Sequence, residues 1–303
     1  MMYLDHFGLH SLPFTLTPDT EFFFPLQPHQ EALQVVLSAL NGGEGIIKVV
    51  GEVGTGKTLI CRKVMRELPE DYYCFFFPNP YLTATELRQE IGKRLKLDAQ
   101  QYEDQASLTD AIERRIKMVR QRGKKMVICI DESQALPDET LEALRLFTNL
   151  ETEKEKLVQV ILFGQPELDA RLSQDKFRQL KQRISFSYEL RTLQQNEAND
   201  YIRHRLMVSG YRGAPIFSDQ AVRVIWRASH GVPRLINVLC HKSMMLCYGK
   251  GISLIEPAVA KLAVQDTEGV ISKRRYPNWV YALAVLVSLE IIVLAYWWWG
   301  QSL

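Results

Sequence analysis

Gly51-Glu52-Val53-Gly54-Thr55-Gly56-Lys57-Thr58 matches GxxxxGK[ST] at every fixed position. An apolar run over 45–50 leads into it and a stretch with helical spacing over 57–68 leads out, which is the strand-loop-helix context of a phosphate-binding loop rather than of a glycine-rich turn with a chance lysine. The glycines let backbone N–H groups curl around phosphates at a helix N-terminus. Lys57 neutralises the β- and γ-phosphates, and the Thr58 hydroxyl is a ligand for Mg²⁺. The expected nucleotide-contacting set is Gly51, Glu52, Val53, Gly54, Thr55, Gly56, Lys57, Thr58 and Leu59, with ATP and Mg²⁺ as the ligands.

On either side of this loop the pattern is that of a parallel sheet with crossover helices. A helix over 29–40 is stopped by Asn41-Gly42-Gly43, and the loop helix is followed by an apolar run over 72–77. Helical spacing over 84–95 and 108–122 precedes a strand at 126–130, and a helix over 138–148 precedes a strand at 157–163. After about 191 the strand signals stop. Helical patterns remain over 196–209, 218–229, 233–248 and 256–264, which predicts an all-helical second part over 191–270. The fold class is α/β: a P-loop core over 45–190 with a C-terminal helical lid. Residues 1–44, rich in aromatics and prolines and ending in the first helix, are expected to pack on that core.

The apolar strand at 126–130 delivers Asp131 and Glu132 at its end, where a parallel sheet presents ligand-binding groups. Beside a phosphate loop, Asp131 reads as the second Mg²⁺ ligand and Glu132 as the general base that polarises the attacking water. The next strand ends at Gly164-Gln165-Pro166, which makes the Gln165 amide a candidate for orienting that water; an ordinary turn is the plainer reading.

Taken with the opening Tyr3-Leu4-Asp5-His6-Phe7-Gly8-Leu9, Pro13-Phe14, IDESQAL at 130–136, FGQPEL at 163–168, Gln182-Arg183-Ile184 and GVPRLIN at 231–237, the chain resembles the AAA+ ATPases of the ExeA or general secretion pathway A type. Within them it is similar to the members that serve MSHA pilus biogenesis. The resemblance implies an oligomer, with Arg183 as an arginine finger toward a neighbouring subunit and Arg234 as a sensor arginine of the lid. On the residues alone, either arginine also reads as a surface charge. Many relatives of this type carry a peptidoglycan-binding domain beyond the membrane, and the sequence stopping at Leu303 turns the expectation toward the pilus type.

Residues 279–299 are apolar except for Ser288, Glu290 and tyrosines, and as a helix would span roughly 31 Å, the thickness of a hydrocarbon core. Aromatics flank both ends, and Lys273-Arg274-Arg275 lies in the linker 271–278, which puts the positive side in the cytoplasm. Glu290, mid-span, is protonated, or pairs with a partner helix, or marks a segment that does not insert alone. The N-terminus lacks the basic region and apolar run of a secretory signal, and the five cysteines form no CxxC pair, so neither a disulfide framework nor a zinc site is indicated.

A formal charge of +2, from 37 basic and 35 acidic residues, gives no global field for nucleic acid, which is an unlikely partner. One local exception is 114–125, with seven cations (Arg114, Arg115, Lys117, Arg120, Arg122, Lys124 and Lys125); it reads as a solvated helix face or as a contact for phosphates.

The leading expectation is a membrane-anchored ATPase at the cytoplasmic face of a bacterial inner membrane. It would couple hydrolysis to assembly or export of an envelope structure through inner-membrane pilus or secretion proteins. The alternatives are a nucleotide-gated scaffold with little turnover and a DNA-acting ATPase of the transposition-accessory type.

Overall fold

The apolar run before the phosphate loop is strand β1 (Ile46–Gly51), buried along its whole length. Ile46 and Val50 face one layer of helices and Ile47 and Val49 the other, so a strand covered on both faces has no use for polar alternation. In this computed structural model, which describes residues 3–16, 22, 24–98, 104–153 and 155–267, four more strands join it. They are β2 (Tyr72–Phe77), β3 (Lys125–Ile130), β4 (Val158–Gly164) and β5 (Ile184–Leu190). Every pairing is parallel and the order is β2-β3-β4-β1-β5.

Twelve helices are described. The short α1 (Leu4–Phe7) is followed by α2 (Gln27–Asn41), α3 (Lys57–Glu67), α4 (Ala84–Arg94), α5 (Gln105–Gln121) and α6 (Asp138–Phe147). α2 and α3 cover one sheet face through Ala32, Val36, Ile60 and Val64. The other face is closed by Leu87 and Ile91 of α4, Leu108, Ile112 and Ile116 of α5, and Leu141 and Leu144 of α6. Two caps set helix starts: Thr83 and Glu86 form a reciprocal capping box on α4, and the Asp104 carboxylate accepts from Ser107 N–H at 2.9 Å, which begins α5 three residues before the expected 108.

Between 167 and 190 lie three elements that the pattern reading does not place: α7 (Glu167–Leu172), α8 (Arg178–Arg183) and β5. Four helices follow, α9 (Gln195–Val208), α10 (Asp219–Ser229), α11 (Pro233–Gly249) and α12 (Pro257–Gln265). A parallel bridge between Phe217 and Ile255 ties together the chain entering α10 and α12.

The N-terminal stretch departs from the expectation of packing on the core. α2 does lie against β1, β5 and α3, but residues 3–15 bind the helices after β5. The Tyr3 hydroxyl meets His241 Nδ1 at 2.8 Å, Phe14 meets Phe217 edge to face, and His10 N–H donates to Ser209 O at 2.8 Å. Arg205 Nε donates to Pro13 O at 2.5 Å, and Asn237 Nδ2 donates to Thr15 O at 3.2 Å. An irregular strap has no ladder for its carbonyls, and α9 and α11 supply the donors instead.

Cys61 and Cys129 are free thiols with sulfurs 3.4 Å apart, buried between α3 and the sheet. Among the described residues no helix is long and apolar enough to cross a membrane; the expected span 279–299 and its linker 271–278 lie outside the described residues.

Candidate functional site

The loop 51–58 is shaped by conformations that only glycine adopts cheaply. Gly54 has φ +83° and Gly56 φ +99°. Between them Thr55 is held from α2: His29 Nε2–H donates to Thr55 O at 2.8 Å. Burial lowers the His29 pKa, opposed by that hydrogen bond, so the ring is neutral with its proton on Nε2.

Lys57 opens α3 and is buried, with Nζ donating to Gly51 O at 2.7 Å and Glu52 O at 2.9 Å. Burial lowers its pKa, opposed by the nearby charges of Glu132 and Asp131.

The second half of the site comes from the ends of β3 and β4. Thr58 Oγ1 donates to Asp131 Oδ2 at 2.6 Å, which brings together the two residues expected to ligate Mg²⁺. Burial raises the Asp131 pKa, while the bonds from Thr58 and from Glu132 N–H oppose it. A hydroxyl and a carboxylate are the oxygen donors a hard divalent cation takes, and Mg²⁺ is commonly held by one or two carboxylates with substrate phosphates and water completing its shell.

Because β4 lies between β1 and β3, its end falls between the phosphate loop and the two acids. Gln165 is thereby brought to Glu132: its Nε2 donates to Glu132 Oε2 at 2.9 Å. Gln134 joins them, with Nε2 donating to the same oxygen at 2.7 Å and Oε1 accepting from Gln165 N–H at 3.0 Å. Burial pushes the Glu132 carboxyl up, but the hydrogen bonds from Gln134 and Gln165 and the charge of Lys57 outweigh it and hold the pKa below the ordinary value.

A cleft of about 220 Å³ runs from the loop to the helices after β5. Gly54 to Leu59 and Glu132 line it together with Leu26, His29, Tyr201, Arg205, Arg234 and Asn237. Val53 also lines it, whereas Gly51 and Glu52 contribute carbonyls to Lys57 from behind. Arg234 sits in the first turn of α11, its N–H donating to Gly54 O at 3.3 Å. Arg183 is not brought to this cleft. It precedes β5, whose Ile184 pairs with Ile46 at the start of β1, on the opposite edge of the sheet from Gly51. Sequence reading assigned no site role to His29, Gln134, Tyr201, Arg205 and Asn237; of these Gln134, inside IDESQAL, and Asn237, at the end of GVPRLIN, stood in a recognised motif.

A five-stranded parallel sheet presenting a phosphate loop, an Asp-Glu pair and a glutamine at adjoining strand ends is the arrangement of a P-loop ATPase. Residues 40–172 match the AAA domain family. Along 99% of its length the chain is similar to general secretion pathway protein A of Aeromonas hydrophila, with 35% identity over 300 residues. It covers 54% of that relative, about half of its length. Two solved structures with similar folds are Cdc6p from Pyrobaculum aerophilum and the ORC2 protein from Aeropyrum pernix. For Cdc6p the TM-score is 0.61 at 18% identity, covering 90% of this chain and 79% of that one. For ORC2 the TM-score is 0.58 at 14% identity, covering 82% and 72%. At such identities the likeness is one of fold alone.

Proposed function

We propose that this chain is a membrane-anchored motor that hydrolyses ATP with Mg²⁺ at sites shared between subunits, and couples turnover to assembly or export of an envelope structure. The observation that carries the chemistry is the hydrogen-bonded set Thr58–Asp131 and Gln134/Gln165–Glu132 beside the loop. The likeness to a general secretion pathway protein along 99% of the chain supports the cellular role.

In this reading Lys57 leaves the Gly51 and Glu52 carbonyls for the β- and γ-phosphate oxygens of ATP, and the N–H groups of 54–58 cradle the phosphates. Thr58 and Asp131 would hold Mg²⁺, which when bound would neutralise charge on the phosphates. Gln165 orients a water, Glu132 takes its proton, and the water oxygen bonds to the γ-phosphorus as the bond to ADP breaks. Helices α9–α12 act as a lid that carries Arg234 onto the nucleotide of its own subunit, while Arg183 reaches the site of the next.

Residues 279–299 anchor the chain in the bacterial inner membrane with the ATPase in the cytoplasm, and Glu290 meets a helix of a pilus or secretion partner. A type IV pilus of the MSHA kind or a type II secretion apparatus is the proposed structure served.

The test is steady-state ATP hydrolysis by the full chain in inner-membrane vesicles, alongside Lys57→Ala and Glu132→Gln, with pilus or secretion output scored in cells carrying the same variants. Loss of hydrolysis and output together in both variants supports the motor. Output that survives Glu132→Gln but not Lys57→Ala replaces it with the nucleotide-gated scaffold.

A further inference from the structure

The cationic run 114–125 forms part of a pocket. At the start edge of the sheet a concavity of about 250 Å³ is lined by Lys96, Arg115, Arg122 and Lys124 over a floor that includes Tyr73 and Met118. Lys124 immediately precedes β3 and Asp131 immediately follows it, so the pocket lies roughly 20 Å along the strand direction from the ATP site. Among the described residues, none of the four cations is within ion-pair distance of a carboxylate. Their neighbour Arg120, outside the pocket, pairs with Glu155 at 2.5 Å.

Two features show the pocket to be built. Arg115 Nε donates to Leu95 O at 3.1 Å, which fixes its guanidinium in the wall and leaves the Nη groups as a fork of donors. Lys96 stands at φ +56°, in the left-handed region, at the position where a helix end of this kind ordinarily takes glycine. The turn is complete around it, with Lys96 N–H on Lys93 O at 2.9 Å and Leu97 N–H on Gly92 O at 3.1 Å. The chain thus places a lysine where the backbone favours glycine, and that lysine lines the cavity. Non-glycine residues held in this region cluster at ligand-binding and active sites.

We propose that this pocket binds a multiply charged, phosphate-bearing anion, distinct from the nucleotide at the loop. Four cations lining one concavity suit a ligand of high charge density, and an arginine fork suits phosphate oxygens. The proposal is independent of the cellular role assigned above. Such a ligand comes either free in solution or as a phospholipid headgroup.

The test uses the full chain in nonionic detergent with saturating ADP, so that the loop is occupied. Calorimetric titration with inorganic triphosphate is one arm, and dihexanoyl phosphatidic acid, whose phosphomonoester headgroup can carry two charges, with dihexanoyl phosphatidylcholine as the control of no net charge, is the other. Saturable triphosphate binding assigns a free ligand; binding of phosphatidic acid alone assigns a headgroup. The variant Arg115→Gln/Arg122→Gln/Lys124→Gln is expected to lose about tenfold or more in Kd, while Arg114→Gln/Lys117→Gln/Lys125→Gln, which removes equal charge from the same run outside the pocket, keeps its affinity. Lys96→Gly is expected to raise Tm while weakening binding, a pair of signs that a merely structural lysine does not give. Equal losses in the two triple variants, no binding in either arm, or full affinity in Lys96→Gly overturns the proposal.

Discussion

Glu132 occupies the left-handed region at φ +52°, a conformation that costs a non-glycine residue about 1–2 kcal/mol. Two amides from Gln134 and Gln165 hold its carboxylate there. Holding and chemistry separate by substitution. Glu132→Gln is expected to lower kcat by about 100-fold or more while ATP still binds. Gln134→Ala removes one of the bonds that keep the carboxyl low, so the proton binds Glu132 at higher pH. A base works only when ionised, so the acid limb of the kcat–pH profile moves up and the high-pH plateau stays. An acid limb that does not move assigns it to another group.

Gly54 supplies a second prediction at this scale. Any Cβ there meets the left-handed backbone cost and stands 2.6 Å from Arg234 Cβ. Gly54→Ala is therefore expected to weaken ATP binding about tenfold, the equivalent of 1.4 kcal/mol. Gly43→Ala is the control, with φ +79° and open space around the new methyl, and it is expected to lower Tm without touching affinity.

Elements are joined across the sheet by one buried charge. Lys48, mid-strand in β1, is 11% exposed at its side chain and pairs with Asp169 of α7, just after Gln165. This pins the strand that carries the phosphate loop to the helix that follows Gln165. Asp169→Ala leaves the lysine uncompensated and is expected to cost about 2 kcal/mol in urea denaturation, discounted because Asp169 is half-exposed; Lys48→Met in that background is expected to recover most of it. A double variant no more stable than the single would place the cost in lost packing instead.

The elements that sequence reading placed are those whose pattern repeats over a long run or joins a motif: β1 with the loop, β3 with Asp131, and α9 to α12. β5 escaped because it is an edge strand. Ile184, Phe186, Tyr188 and Leu190 alternate with Ser185, Ser187 and Glu189, a period-two signal that a search for continuous apolar runs passes over. Two-turn helices such as α7 and α8 are too short for a 3.6-residue period to declare itself. The site shows the same division. Its motif residues were legible because phosphate chemistry fixes their spacing, whereas His29 and Arg205 reach it from α2 and α9, and no local rule links them to the loop or to the strap they hold.

At the scale of the whole molecule, Arg183 decides whether the chain is complete by itself. It sits at the start edge of the sheet, and β1 runs about 16 Å from Ile46, beside Ile184, to Gly51 at the other edge. No side-chain rotamer of Arg183 brings it to its own subunit's γ-phosphate, so a finger role requires a second copy. That requirement yields a complementation test. Lys57→Ala keeps the finger and loses the phosphate lysine; Arg183→Ala keeps the lysine and loses the finger. Each alone is expected to be inactive. Mixed in equal amounts and reassembled head to tail, about a quarter of interfaces pair an intact loop with an intact finger, and turnover is expected to return to about that fraction of wild type. A mixture as inactive as its parts would overturn the finger role, since the geometry leaves Arg183 no route to the site of its own copy. An Arg183→Ala chain active alone would return the arginine to the surface and leave each loop to work unaided.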